Sequence, residues 1–190
     1  MSTTTTQTKS QGAPKTERLK PGGTSQQEPP MTAQPQAEHE WLQKLVGEWT
    51  CKGEMTMEPG KPPMKYEGTE SVRSVGGLWI VAEGRGEMPG CGPSTGLMTL
   101  GYNPQKGRFV GTFIASMMTH MWVYDGALDA AKKVLTLNTE GPNMSAGGQM
   151  AKFKDVIEVK SNDHRVLTSH MQGEDGSWHQ FMTAHYRRKK

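Results

Sequence analysis

The stretch that decides the fold is HEWLQKLVGEWTCKGE, which runs from His39 to Glu54. Its apolar residues recur on one face of two helical turns, which predicts a short amphipathic helix. Those residues are Trp41, Leu42, Leu45 and Val46. Gly47 then ends the helix, because glycine accepts the positive φ of a C-terminal cap. A first strand follows from Trp49, so this stretch marks the beginning of an all-β domain.

Turn signals divide the rest of the chain into short strands. The predicted strands are 49–55, 65–75, 78–86, 95–102, 108–116, 119–125, 134–139, 149–160, 165–172 and 178–187. Gly76-Gly77 is a hairpin signal, since a type I′ turn needs positive φ twice. Asp125-Gly126 is typical of a turn, and 141–148 is predicted to be a loop.

This regular spacing favours a meander over a Greek key. A meander of about ten strands has two exposed edges unless it closes on itself. The sequence therefore predicts an up-and-down antiparallel β-barrel with a short helix closing one end. An open β-sandwich is the alternative.

The first 37 residues differ from the rest in composition. They contain no Trp, Tyr or Phe and five prolines, so they cannot bury enough apolar surface to offset the entropy of ordering. No apolar segment follows Ser2–Thr8, which argues against a secretory signal. We predict a disordered tail over 1–37 and a β-barrel domain over 38–190.

Charge and cysteine content narrow the class of protein. The formal net charge is +3, and most of it falls in the tail, so a nucleic-acid partner is not expected. No stretch reaches the roughly 18 apolar residues of a membrane helix, so no membrane partner is expected and the predicted location is cytoplasmic. Cys51 and Cys91 are too few for a disulfide framework and are predicted to be free thiols.

Several segments resemble a bacterial family of uncharacterised proteins, described as a domain of unknown function related to the calycins. These segments are Leu42–Trp49, Gly101–Pro104, Gly111–Phe113, Trp122–Gly126 and Glu140–Pro142. The likeness runs in order over most of residues 38–188. It implies a calycin-like barrel and very little chemistry.

The Gly47-x-Trp49 opening is more distantly similar to lipocalins, fatty-acid-binding proteins and haem-binding nitrobindins. That resemblance implies that Trp49 closes one end of the barrel beneath a basic residue of the last strand, Arg187 or Arg188. The nitrobindin likeness also implies a haem ligand on the last strand. The matching position falls near Phe181, which leaves the neighbouring histidines as the candidates for binding a cofactor. They are His179 and His185.

The segment 116–122 joins two strands without the glycine of a simple turn. His120 lies within it and is interpreted as a polar anchor for a ligand or a general base. The alternative is a wide hairpin whose methionines fill irregular core space. A barrel of about ten strands is too wide for its own side chains to fill, which favours a pocket. The candidate ligand-binding residues are Phe113, Met117, His120, Trp122, Phe153 and Met182.

Asp155 shares a strand face with Phe153 and Ile157, so it is predicted to point inward. A buried carboxylate needs a partner, and a structural ion pair with one of three arginines is expected. These are Arg73, Arg85 and Arg165. No nucleophile–base pair or pair of carboxylates is recognisable, so an enzyme is not favoured and no catalytic residue or metal site is predicted.

Three hypotheses about function follow. The leading one is non-catalytic binding of a small apolar or amphipathic molecule inside the barrel. The second is a haem- or metal-binding barrel that uses a histidine of the last strand. The third is a structural or interaction module with a filled barrel, for example a homodimer. The identity of any cofactor stays open.

Overall fold

The computed structural model describes residues 1–3, 33–56, 60–88, 90 and 92–190. The chain divides into two units, Met1–Thr32 and Ala33–Lys190. Most of the predicted disordered tail lies outside the described residues, as does Cys91.

The described residues of the second unit form one short helix and ten strands, in agreement with the predicted all-β class. The helix α1 spans Ala37–Gln43. The strands are β1 Gly47–Met55, β2 Met64–Val75, β3 Trp79–Met88, β4 Gly92–Asn103, β5 Arg108–Ala115, β6 Trp122–Leu128, β7 Val134–Asn143, β8 Gln149–Ser161, β9 His164–Gln172 and β10 Trp178–Arg188. A 3-10 turn over Met144–Ala146 joins β7 to β8.

The strands form a closed antiparallel barrel in which each strand pairs with its neighbours in sequence. Closure comes from the pairing of β1 with β10, in register from Trp49 opposite Arg188 to Met55 opposite Met182. The predicted up-and-down barrel is therefore confirmed. Closure removes the exposed edges that an open ten-stranded meander would leave.

The turn predicted at Asp125-Gly126 is wrong, because both residues lie within β6. Gly126 is needed there because a Cβ would lie 2.6 Å from the Leu137 side chain on β7. The turn lies over 129–133 instead, between β6 and β7. There the Asp129 carboxylate accepts hydrogen bonds from the backbone N–H groups of Lys133 and Val134, at 2.7 and 2.9 Å.

Helix α1 closes one end of the barrel, as predicted. Its Trp41 and Leu42, with Leu45 beyond it, are buried in the same core as Trp49. The helix is tied to the hairpin turns at this end through the Trp41 indole, which donates to the Lys132 carbonyl at 2.9 Å. We refer to this end as the α1 end.

Arg188 is the predicted basic partner of Trp49, and its guanidinium lies 4.2 Å from the centre of a Trp49 ring. It also donates to the carbonyl oxygens of Val46 at 2.6 Å and Lys44 at 3.0 Å, just beyond the helix. Gly47 makes this possible, since a Cβ there would lie 2.2 Å from Arg188 Nη1. Arg187, the other candidate, is exposed.

Two inward-facing glycines, Gly111 and Gly84, allow a matched test of how tightly the inside of the barrel is packed. A Cβ on Gly111 would lie 1.9 Å from the Thr99 carbonyl oxygen, whereas the nearest atom to a Cβ on Gly84 is 4.0 Å away. We expect Gly111→Ala to lower the free energy of unfolding by about 1–3 kcal/mol, because backbone must move. Gly84→Ala should leave it unchanged or raise it by about 0.4–1 kcal/mol. Urea unfolding measures both, and equal losses would contradict this account.

Candidate ligand-binding site

Inward-facing side chains differ in exposure between the two ends of the barrel. Near α1 they are fully buried: Trp49 and Ile80 are 1% exposed and Leu135 is 0% exposed. Toward the opposite end, which we call the open end, the inward-facing residues are only partly buried. They include Tyr66, Phe113, Trp122, Phe153 and Met182. The inward-facing side chains are therefore sealed from solvent at the α1 end and partly exposed to it at the open end.

A row of aromatic rings crosses the open end. The ring centroids are 5.1 Å apart for His120 and Trp122, 5.0 Å for Trp122 and Phe153, and 6.2 Å for Phe153 and Phe181. Each pair meets edge to face, the geometry that aromatic quadrupoles favour. The Trp122 ring is held over Gly141, where a Cβ would lie 2.3 Å from it.

The structure places the six predicted ligand-binding residues around this end. Phe113 and Trp122 are direct cross-strand neighbours, and Met182 lies opposite Met55 in the β1–β10 ladder. The His120 imidazole is anchored by a hydrogen bond of 3.1 Å between its Nε2 and the Glu140 carbonyl. Phe153 belongs to the aromatic row. Met117 lies apart from the others, exposed on the loop between β5 and β6.

The barrel wall splits at the open end between β6 and β7. Strand β6 pairs with β5 over Trp122–Gly126 but with β7 over Asp125–Leu128. A cleft of about 570 Å³ lies at this split. It is lined by His120, Met121, Val123, Asp125, Asn138, Thr139, Glu140, Lys152, Phe153 and Trp178. Because Thr139 and Phe153 also face inward, the cleft reaches the lumen wall from the side.

A second split separates β2 from β3, whose ladder begins only at Gly68 opposite Gly86. Its cleft is also about 570 Å³ and contains the inward-facing Tyr66. Exposed apolar side chains lie on the loops and strand ends around the open end. They are Met117, Met118, Met121, Met144 and Met150. The open end thus combines partly exposed inward-facing side chains with an apolar rim of flexible methionines.

Asp155 points inward as predicted, but the expected ion pair with an arginine is wrong. Its carboxylate accepts hydrogen bonds from the Tyr124 hydroxyl at 2.5 Å and the Ser169 hydroxyl at 2.6 Å. Such short distances are typical of hydroxyl donors on an ionised carboxylate. Desolvation nevertheless raises the pKa of Asp155 above its ordinary value, against the lowering effect of the two hydroxyls.

The raised pKa predicts a pH dependence that Asp155→Asn should remove. A carboxyl group whose pKa is raised by folding contributes stability that is complete below the unfolded value of 3.8. That contribution is lost as the pH rises through the folded pKa. We expect the free energy of unfolding of the wild type, minus that of Asp155→Asn, to fall as the pH rises from about 3.8.

Asp129 provides a control of opposite sign. Backbone hydrogen bonds from Val134 and Lys133 lower the pKa of its exposed carboxyl. The wild type minus Asp129→Asn difference should therefore fall as the pH drops below 3.8. Urea unfolding between pH 3 and 7 measures both series. A flat or rising Asp155 difference would contradict the assignment.

Arg165, one of the arginines considered for Asp155, pairs instead with Glu70 near the α1 end. Its guanidinium lies between aromatic rings, 4.6 Å from Trp49 and 4.3 Å from Tyr186. Burial lowers the pKa of Arg165 to about 10. The thiol of Cys51 is buried beside Tyr186, and desolvation raises its pKa. This polar group is part of the closed half of the barrel.

The two histidines proposed as cofactor ligands lie outside the lumen. A bulge between Gln180 and Met182 shifts the alternation of β10, so Ala184 is buried and His185 is exposed. The His185 ring stacks on His164 at 5.6 Å on the outer surface. His179 is exposed and lies 2.8 Å from the Ser177 hydroxyl in the β9–β10 turn.

Two further properties of the described residues bear on the candidate chemistry. Within this part of the chain, no three or more His, Cys, Asp or Glu side chains are grouped so that they could hold a metal ion. None of its helices has the length and apolar character needed to cross a bilayer.

Sequence patterns did not identify Tyr124 and Ser169 as site residues. Tyr124 is 3% exposed and Ser169 is 6% exposed, and both alternate with outward-facing neighbours. That alternation is the available signal for an inward direction. Their meeting at Asp155 depends on the registers of three strand pairs, from β6 to β9, which alternation does not specify.

Comparison with known proteins identifies a matching family model and solved structures with a similar fold. A family model described as "Protein of unknown function (DUF1579)" matches residues 34–188. The crystal structure of Rv2717c from M. tuberculosis is 14% identical, covers 82% of this chain and 99% of its own, and has a TM-score of 0.56. The S-type phycobiliprotein lyase CPES from Guillardia theta has the same identity and coverages and a TM-score of 0.55. No curated protein matches the chain.

Proposed function

We propose that this chain, which belongs to the DUF1579 family of proteins of unknown function, binds a small apolar or amphipathic molecule in the open half of its barrel. The observation that carries the proposal is the difference between the two ends. The α1 end is sealed by Trp49 at 1% exposure, while inward-facing aromatic and methionine side chains at the other end stay accessible.

The chemistry of the open half suits such a ligand. Ligand pockets are mostly apolar and aromatic, with a few polar groups that fix orientation. Phe113, Trp122 and Met182 supply an apolar wall, and the hydroxyl–carboxylate group at Asp155 is the polar feature. The exposed methionines of the rim can adapt to ligands of different shape. One structural neighbour is named as a phycobiliprotein lyase, which is in keeping with a barrel that handles a small molecule.

The competing proposals make different demands on the barrel. A haem protein with a ligand from the last strand needs a histidine that faces the lumen, and both His179 and His185 are exposed. An interaction module with a filled barrel, monomeric or dimeric, needs no accessible lumen. We therefore favour ligand binding without catalysis.

The experiment is a titration with Nile red, a neutral apolar dye, against the wild type and a variant with a blocked lumen. Gly84→Phe adds a ring at an inward position of β3 where a Cβ would have no neighbour closer than 4.0 Å. We expect saturable binding at one site in the wild type and a loss of at least about tenfold in affinity in Gly84→Phe.

The matched control is Arg85→Phe, which adds the same ring at the next residue, on the exposed outer face. Circular dichroism confirms that both variants keep the β fold. If Nile red binding is unchanged in Gly84→Phe, or is lost equally in both variants, the proposal that the ligand binds inside the barrel is wrong. No binding to the wild type would favour the filled barrel.

A further inference from the structure

The carboxylate of Asp155 lies in the open half and forms no ion pair with a lysine or arginine of the described residues. Its two hydrogen-bond partners, Tyr124 and Ser169, are neutral hydroxyls that each donate to one of its oxygens. A carboxylate has about four acceptor positions, so about two remain unfilled.

Arg165, one of the arginines considered as a partner for Asp155, already forms an ion pair with another carboxylate. Arg165 is buried against Glu70 in the closed half, beneath Trp49 and Tyr186. That pair is neutral as a unit, so Arg165 does not supply a counter-charge to Asp155. Unpaired charge removed from water is costly unless a counter-charge is supplied.

The Asp155 carboxylate lies close to the apolar side chains of the open half, Trp122 and Met182. Asp155 lies opposite Ser169 on β9, and Ser169 lies opposite Met182 on β10. Tyr124 is two residues from Trp122 on the inward face of β6. A molecule whose apolar part lies along Trp122 and Met182 therefore brings its polar end to Asp155.

We propose that the ligand is a cationic amphiphile, an apolar molecule with a protonated amine that binds Asp155. An ammonium group has up to three N–H donors, which suits the acceptor positions left by Tyr124 and Ser169. The ion pair would form inside the lumen, where charges are screened less than at the surface. This inference rests on the proposed binding function and specifies the class of ligand.

The test compares three competitors with the same twelve-carbon chain: dodecylamine, dodecanol and dodecanoate. Each displaces Nile red from the wild-type protein at neutral pH, below its aggregation limit. We expect dodecylamine to compete at a concentration at least about tenfold lower than the alcohol, because of the charge-assisted hydrogen bonds. Dodecanoate should be the weakest, since it brings a second negative charge next to Asp155.

Asp155→Asn should abolish the preference for the amine while Nile red still binds. The matched control is Asp129→Asn, which removes an exposed carboxylate in the turn after β6, at the α1 end, and should keep the preference. Equal competition by amine and alcohol in the wild type overturns the inference even where the Asn variant does not fold. So does a preference that survives in Asp155→Asn. Both results leave Nile red binding, and hence the proposed function, intact; the function itself is tested separately by the Nile red titrations of the wild type, Gly84→Phe and Arg85→Phe.

Discussion

Trp49→Ala should lower the free energy of unfolding by about 3–5 kcal/mol, the usual cost of removing a fully buried Trp from a core. The indole is 1% exposed, and its Nε1 donates to the Leu45 carbonyl at 2.9 Å. The guanidinium groups of Arg165 and Arg188 lie within 4.6 and 4.2 Å of its rings. Truncation therefore leaves a cavity and deprives two cations of an aromatic face.

Trp79→Ala is the control for this prediction. Trp79 is 42% exposed on the outer face of β3, where its ring covers Gly101. We expect a loss of about 1 kcal/mol or less, because much of the ring is already in water. Equilibrium unfolding in urea compares the two variants. Similar losses would show that Trp49 does not close the barrel in the way described.

Glu70→Ala should be nearly as damaging, with an expected loss of about 3–5 kcal/mol. The reason is the charge left behind. The Arg165 side chain is 7% exposed and would remain buried without its carboxylate partner. We expect the double variant Glu70→Leu, Arg165→Met to lose far less, about 1 kcal/mol, because no uncompensated charge remains in the barrel.

An exposed ion pair on the same strand serves as the control for the buried Glu70–Arg165 pair. Glu67 lies on the same strand and pairs with Lys52 at 2.8 Å, with both side chains at least 70% exposed. Glu67→Ala should cost no more than about 1 kcal/mol. Unfolding free energies of all three variants give the comparison. A double variant that is less stable than Glu70→Ala would contradict the account of Arg165 as the source of the loss.

The fold was predictable because the residues within many of its turns, mainly glycines, identify those turns in the sequence. Gly76 and Gly77 have φ values of 62° and 72°, as the hairpin signal required, and the strands on either side follow from them. The turn after β6 was misplaced because Asp129 forms it without glycine, through its carboxylate. At Gly126 the requirement is tertiary, set by the Leu137 side chain on the next strand.

The site was predictable only in part. Alternation predicted that Asp155 points inward, because that direction depends only on the face of a single strand. The partners of Asp155 depend on the registers of the three strand pairs from β6 to β9. The directions of the β10 histidines depend on the bulge between Gln180 and Met182. A bulge reverses alternation beyond it, and nothing in the sequence of β10 marks its position.

The contact between Arg188 and the start of the barrel also constrains how the chain folds. Arg188 donates to the Val46 carbonyl across a separation of 142 positions, and the β1–β10 ladder joins the same distant segments. During synthesis, one edge of β1 pairs with β2, but the other edge stays unpaired until β10 has been made. Folding should accordingly be slow for a domain of this size, because its closing contacts are among the most distant in sequence. Until then the nascent chain exposes an unpaired strand edge, so loss of the last few residues should promote aggregation more than loss of any surface loop.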